Sequence, residues 1–226
     1  MSYDFDLMAL WTYRWAFLRS IWVTIEVSFF SIVFGTILGI LIGLARHYGR
    51  SNWLLYPTWL LSTVWVYVFI SIPALVLLLW AYYILPIFGI GLGSFWAAVL
   101  GLSINLSPFA GEVFRSGLAN VPEGELSAAH AMGYTWPQVI FLFILPQFFR
   151  NSVPPLMAQY YTTVKMSSLA SVIGVVEIIN VSQQVIYDTY KTLEVYALVG
   201  LAYAVVVVPF AILAKRYEDR MLIKRI

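Results

Sequence analysis

Ionisable and amide side chains inside apolar stretches are the groups of this chain that could act on a polar molecule. Lys165 is the sharpest case, because it lies in the middle of an apolar stretch, where a lone ammonium in lipid would be costly. Gln159 precedes it, and Ser167 and Ser168 follow it. This pattern predicts either a polar passage for a solute or a structural pairing of Lys165, and both alternatives are open on the sequence alone.

A second polar group lies in the preceding apolar stretch. Glu112 and Arg115 are three residues apart, so on a helix they would share a face and could form an ion pair. Asn105 lies deeper in the same stretch. The Glu112 carboxylate is therefore either a solute contact or one half of a structural pair.

No residue pattern typical of catalysis or metal binding accompanies these groups. The sequence has no Cys, and its two His residues, His47 and His130, lack the spacing of metal ligands. It contains neither a G-x-S-x-G nucleophile motif nor a G-x-x-x-x-G-K-[ST] phosphate loop. We therefore expect a chain that is not itself an enzyme and binds no metal or cofactor. If the protein uses ATP, another subunit must bind it.

The composition indicates that lipid is the solvent of these segments. Of the 226 residues, 62% are apolar and 11% are charged, whereas soluble domains are about 45–50% apolar and about 25% charged. A single core cannot hide so much apolar surface. The composition excludes an ordinary soluble enzyme and a disordered chain, and a net charge of +2 is too small to indicate a nucleic-acid partner.

We predict an all-α polytopic membrane protein with about five transmembrane helices in one domain, residues 1–226. A spanning helix needs about 20 mostly apolar residues. The segments that qualify are 21–44, 53–84, 94–117, 152–173 and 194–214, with a loop at 120–147 between the third and the fourth. The second segment is long enough to contain a break, which we place near Ser71-Ile72-Pro73 because Pro73 lacks a backbone donor.

Basic residues in the flanking loops predict the orientation. Five spans place nine of them on one side: Arg46, Arg50, Arg115, Arg150, Lys215, Arg216, Arg220, Lys224 and Arg225. Only Arg14, Arg19 and Lys191 lie on the other side. Since cytoplasmic loops carry the excess, the N-terminus is predicted outside and the C-terminus in the cytoplasm. The aromatic segment 8–17 then suits the outer membrane interface.

The first span carries small residues at a strict spacing of four. Ser31, Gly35, Gly39 and Gly43 would lie on one helix face, where another helix can approach closely. That second helix belongs either to the same chain or to a second subunit.

Small residues also dominate the loop after the third span. Ser127-Ala128-Ala129 leads through His130 to Gly133, and Pro137 follows. The Ala residues favour a short helix, Gly133 could cap it, and Pro137 suits the first turn of the next helix. Such a helix could enter a groove on a partner protein or rest on the membrane, and composition does not decide between the two.

Together with its neighbours, this loop resembles that of the membrane permease subunits of binding-protein-dependent ABC importers, in the branch for polar amino acids. That family has an E-A-A-x-x-x-G loop, followed about ten residues later by I-x-L-P; here the second motif is Phe143-Ile144-Leu145-Pro146. Further matches follow in order over nearly the whole chain: Gly111-Glu112-Val113-Phe114-Arg115-Ser116-Gly117, Val121-Pro122-Glu123-Gly124, Pro154-Pro155-Leu156 and Ser168-Leu169-Ala170-Ser171-Val172-Ile173-Gly174-Val175.

The resemblance implies a type I ABC importer permease fold in the bacterial inner membrane. It implies that ATP hydrolysis by a separate subunit drives import of a polar amino acid or an amino-acid derivative. The implied partners are a second permease, two ATPase subunits that hold ATP and Mg, an extracytoplasmic solute-binding protein and membrane lipid, without nucleic acid. The implied coupling residues, which dock on the ATPase, are Ser127, Ala128, Ala129, His130 and Gly133. The implied solute-pathway residues are Asn105, Glu112, Gln159, Lys165, Ser167 and Ser168.

Three positions depart from the family pattern. Ser127 stands where Glu is usual, Ile70-Ser71-Ile72-Pro73 lacks the Arg of R-G-T-P, and Met166 replaces the Asp of K-D-T-S. Two charges expected near the passage are thus absent, so we expect an altered substrate or an unequal pair of permeases, and we favour a heterodimer. A stand-alone channel or secondary transporter, and an intramembrane enzyme, are the alternatives.

Overall fold

The computed structural model describes residues 6, 8–50 and 53–223, and over these residues the chain is helical and has no strand. The α-helices are α1 (Arg14–Tyr48), α2 (Tyr56–Ser71), α3 (Ala74–Leu79), α4 (Ser94–Ala119), α5 (Glu123–Ala131), α6 (Trp136–Val139), α7 (Leu145–Met166), α8 (Ile178–Thr189) and α9 (Thr192–Ile223). Short 3₁₀ pieces cover Met8–Tyr13, Leu85–Phe88 and Ser167–Ile173, and π-helical turns cover Trp80–Ile84 and Ile140–Ile144.

Four helical segments of the described chain are long and apolar enough to cross a membrane: Leu10–Tyr48, Ser94–Ala119, Trp136–Ile173 and Thr192–Tyr217. A fifth span results if the bent pair Tyr56–Ser71 and Ala74–Phe88 counts as one, and the two parts of this pair meet at 107°. The break lies where Pro73 predicted it. The all-α polytopic architecture is thus confirmed.

Several helices are longer than the apolar segments that predicted them, among them α9, which continues to Ile223. α1 begins at Arg14 rather than near residue 21. Helical structure leading into the fourth span begins at Trp136 rather than at 152, so the second half of the predicted loop 120–147 is helical. Pro146 lies inside this continuous helical stretch, directly after the π-helical turn Ile140–Ile144.

The small residues of α1 pack against α4 of the same chain. A methyl group added at Gly39 would lie 2.5 Å from Ala110 Cβ, and one added at Gly43 would lie 2.7 Å from Phe114 Cβ. Such distances leave no room for any side chain, so the two backbones approach as closely as glycine allows. The stripe therefore serves helix packing within the chain, which decides between the two alternatives that the sequence left open.

A buried carboxylate fixes the start of α8 to α9. The Glu177 carboxylate is fully buried and accepts hydrogen bonds from the N–H groups of Ile179 and Asn180, each at 2.9 Å, and from the hydroxyl of Tyr203 at 3.0 Å. It thus caps the N-terminus of α8. Burial raises the pKa of Glu177 above its ordinary value, and the three hydrogen bonds oppose that rise.

Candidate functional site

Lys165 lies one residue before the end of α7, with its side chain on the exposed surface of the chain. Its ammonium Nζ lies 5.4 Å from the ring centroid of Tyr161, one helical turn earlier, which is a cation–π distance. Within the part of the chain that the structure describes, no carboxylate forms an ion pair with Lys165. The intrachain structural pair considered for Lys165 is thus not formed among these residues.

The serines after Lys165 stabilise the end of α7. Ser167 is fully buried and its hydroxyl donates to the carbonyl of Val164 at 2.7 Å, whereas the hydroxyl of the half-buried Ser168 donates to the carbonyl of Lys165 at 2.8 Å. Both hydroxyls thus donate to carbonyls of the turn where α7 passes into the 3₁₀ helix Ser167–Ile173. Ser168 remains accessible beside Lys165, whereas Ser167 faces the protein interior.

The same segment is tied to the core and ends in a glycine turn. Ala170 and Ile173 are buried in a cluster with Leu78 and Leu102. Gly174 has φ +81°, a left-handed conformation that glycine adopts without strain, and it ends the 3₁₀ helix. The backbone around Lys165 and Ser168 is therefore held in a fixed position.

The Glu112 carboxylate lies between two guanidinium groups. Arg115 of the same helix donates to Oε1, its Nε at 3.0 Å, and Arg46 near the end of α1 donates to Oε2. The contact with Arg115 was predicted from its spacing. Arg46 was missed as a partner, because spacing reveals pairs within one helix but not between two helices. With both oxygens engaged, this arrangement favours the structural alternative for Glu112.

The two remaining pathway residues lie on the helices that carry these groups. Asn105 is half-buried on α4, seven residues and thus about 10 Å along the axis from Glu112. Gln159 is half-buried on α7, and its carbonyl accepts from the hydroxyl of Thr163 at 3.0 Å. The polar residues therefore lie in two places: Gln159 and Lys165 on α7, with Ser168 in the 3₁₀ helix that follows, and Asn105 and Glu112 on α4.

The loop of small residues forms α5 and ends as its sequence predicted. Gly133 has φ +85°, its N–H donates to the carbonyl of His130 at 3.0 Å, and the N–H of Tyr134 donates to the carbonyl of Ala129 at 3.2 Å. These two bonds are the Schellman arrangement that closes a helix. Glu125 accepts from the amide of Gln147 on α7 at 2.5 Å, so α5 is fastened to the fourth span.

The side chains of α5 face two directions. Ser127, Ala128 and His130 are exposed, but Ala129 is fully buried. This corrects the expectation that Ala129 is among the side chains that contact a partner, because a side chain buried in its own chain cannot do so. The helical turn places Ala129 on the inner face, where its small size permits close packing.

Residues 32–223 match the family described as the binding-protein-dependent transport system inner membrane component. The chain belongs to this permease family. Among its permease relatives, the L-cystine transport system permease protein of Bacillus subtilis is 34% identical over 165 residues, 73% of this chain and 68% of the relative. The octopine transport system permease protein of Rhizobium meliloti is 32% identical over 209 residues, 88% of this chain and 83% of the relative.

Solved structures show the same permease fold. A crystal structure of an amino acid ABC transporter with histidines contains a chain that matches with a TM-score of 0.85 at 27% identity, over 96% of this chain and all of that one. The methionine ABC transporter MetNI in an inward-facing conformation matches with a TM-score of 0.76 at 25% identity, over 93% and 98% of the two chains. The chain is thus a permease with the type I ABC importer fold.

Proposed function

We propose that this permease imports a small solute that bears a carboxylate, a polar amino acid or an amino-acid derivative such as an opine, at the expense of ATP hydrolysed by separate subunits. The observation that carries the proposal is Lys165, an exposed cation at the end of a spanning helix that has no ion-pair partner in the described chain. The names of the relatives support this class of solute, since they include permeases for cystine, octopine and glutamine.

Two acidic groups, Glu112 within a span and Glu177 at the start of α8, are already engaged within the chain. Glu112 is engaged by two guanidinium groups and Glu177 caps α8, so neither presents a free carboxylate to a cationic solute. Lys165 would bind the solute carboxylate, because an ammonium without an ion-pair partner attracts an anion. Ser168 and Gln159 would add neutral hydrogen bonds along the passage.

The partners follow from the same proposal. The exposed residues of α5, Ser127, Ala128 and His130, would dock on an ATPase, and ATP and Mg would stay on the two ATPase subunits. A solute-binding protein would deliver the solute on the outer side of the membrane. We infer that α8 and the N-terminus lie on that side, because the flanking loops on the side of α5 carry the excess of basic residues that is typical of the cytoplasm. Met166 stands where the family pattern has Asp. We infer that a second permease of different sequence supplies the missing carboxylate.

The experiment compares Lys165→Met with Lys165→Arg in proteoliposomes that contain the permease with its partner subunits. Uptake of radiolabelled L-glutamine, L-cystine and octopine and the ATP hydrolysis that each probe stimulates are measured. We expect Lys165→Met to abolish uptake and stimulation of the transported probe while basal hydrolysis persists, and Lys165→Arg to keep part of both. Unchanged uptake by Lys165→Met would remove Lys165 from the pathway.

A stand-alone channel or secondary transporter makes the opposite prediction. The permease reconstituted without any ATPase should show no solute flux, and adding the ATPase with ATP should restore it. Flux that needs neither would overturn the ATP-driven mechanism.

A further inference from the structure

The start of the first long helix and the outer half of α9 leave an open cavity of about 770 Å³ between them. Leu18 and Ile21 form one wall, and Leu198 and Leu201 form the other. Apart from Arg14, every side chain that lines the cavity is apolar. Such a surface favours contact with hydrocarbon rather than water.

A second cavity of about 280 Å³ lies further along the same two helices, where Met157, Tyr160 and Val164 of α7 form a third wall. Its walls include Ile25 and Phe29 of α1 and Val206 and Leu213 of α9. Along both helices the residue numbers increase from the first cavity to the second, so the two cavities lie in line. Together they form a groove, which we call the α1–α9 groove.

The stretch of the α1–α9 groove from Arg14 to the start of the second cavity is as long as one lipid leaflet is deep. Arg14 and Ile25 are eleven residues apart, which is about 16 Å along a helix that rises about 1.5 Å per residue. The hydrocarbon of one leaflet is about 15 Å deep, half of the roughly 30 Å of a bilayer. An acyl chain whose headgroup lies beside Arg14 would therefore reach the second cavity.

Arg14 stands at the outer end of the groove in a setting typical of the membrane interface. Its guanidinium carbon lies 5.2 Å from the ring of Trp11 and 5.7 Å from that of Trp15, and its Nη1 donates to the Trp11 carbonyl at 2.9 Å. The two Trp side chains are 67% and 68% exposed, as in an aromatic belt at headgroup level. No carboxylate among the described residues forms an ion pair with Arg14.

We propose that the α1–α9 groove binds an anionic phospholipid, with one acyl chain along the groove and the headgroup phosphate on Arg14. A guanidinium presents several N–H donors in a planar fork that fits phosphate oxygens, and contact with the indoles holds that fork at the groove mouth. The charge at the mouth and the apolar length below it complement the two halves of such a lipid. The site depends on the membrane position of α1, not on the solute that the permease carries.

The test measures lipid retained by the full-length permease, purified with its partner subunits and exchanged into mixtures of phosphatidylglycerol and phosphatidylcholine. Native mass spectrometry counts each lipid bound. We expect the wild type to prefer phosphatidylglycerol, Arg14→Gln to bind it about tenfold more weakly, and Arg14→Lys to keep part of the preference. Arg19→Gln is the matched control, because Arg19 is exposed on the same helix but does not line the groove.

Equal preference in Arg14→Gln and the wild type, or an equal loss in Arg19→Gln, would overturn the proposal. A second variant leaves the charge in place: Leu201→Trp adds bulk inside the groove and should displace the lipid. Competition by inorganic phosphate alone should be negligible, since it lacks the acyl chain, and full competition would contradict a lipid site.

The other possible occupant is a helix of the second permease. The chain has no native Cys, so a single Cys at Leu18 or Leu201 can be cross-linked without background within this chain. Cross-linking of either position to the partner permease in high yield would show that protein fills the groove and would overturn the lipid proposal. Labelling of both positions by a lipid-soluble maleimide, without such cross-links, supports it.

Discussion

Arg46 and Glu112 join the ends of α1 and α4 at the point where the glycine contact between the two helices finishes. Arg46 is largely buried, with 14% of its side chain exposed, and Glu112 is also held by Arg115. The ion pair and the close backbone contact therefore act on the same pair of helices, one next to the other. Together they make α1 and α4 a stiff unit.

Removing the shared carboxylate should loosen this unit. We expect Glu112→Gln to lower the free energy of unfolding by about 1–2 kcal/mol, because it leaves the largely buried Arg46 without an ionic partner. For a chain of this size that is a fall of several degrees in melting temperature. Arg115→Gln should have the smaller effect, since Arg46 still neutralises Glu112. If Arg115→Gln lowered the melting temperature as much as Glu112→Gln does, the ion pair between Arg46 and Glu112 would contribute little to stability.

The glycine contact predicts a sharp difference between two similar substitutions. Gly39→Ala should destabilise the permease by about 1–3 kcal/mol, because the added methyl group would overlap Ala110. The double variant with Ala110→Gly should recover part of this loss. Gly200→Ala on α9 is the control: no neighbour lies within 4 Å of its added methyl, so it should leave the melting temperature unchanged or raise it.

Neighbouring alanines of α5 should respond differently to the same charge. Ala128→Asp adds a carboxylate to the exposed face, so we expect a folded permease that retains less ATPase during co-purification. Ala129→Asp buries the carboxylate, which should lower the melting temperature of the permease itself. If Ala128→Asp retains the ATPase in full, this face of α5 is not the docking surface.

Stability should depend on pH through Glu177. Its pKa in the folded chain is raised above the ordinary 4.5, so folding takes up a proton in the interval between the two values. The stabilisation is complete below the unfolded pKa and is lost as the pH rises through the folded pKa. Relative to Glu177→Gln, the wild type should therefore lose melting temperature as the pH is raised from about 4 towards neutrality. A relative gain over that interval would mean a lowered pKa.

Local rules explain the features that the sequence predicted well. The lengths of the apolar segments predicted the spans, the missing donor of Pro73 predicted the break, and Gly133 predicted the end of α5. Each depends on a few consecutive residues. The spacing of Glu112 and Arg115 succeeded for the same reason.

The features that escaped sequence reasoning depend on how helices meet. Arg46 reaches Glu112 only because of the register in which α1 packs on α4, and no spacing along the chain reveals that register. The burial of Ala129 could not be read from the sequence, because Ala128 and Ala131 of the same helix are equally small and yet exposed. Helix α7 was predicted to start too late, because its polar first turns resemble a loop.

The sharp angle between α2 and α3 has a consequence for where water can enter the permease. In an unbroken helix the carbonyl of Phe69 would accept from residue 73, but Pro73 carries no N–H. Hydrocarbon offers no replacement donor, so exposed peptide groups at this depth must adjoin other protein or a hydrated crevice. The bend between α2 and α3 therefore lies on a side of the helix bundle that faces protein or water rather than the acyl chains of the lipid.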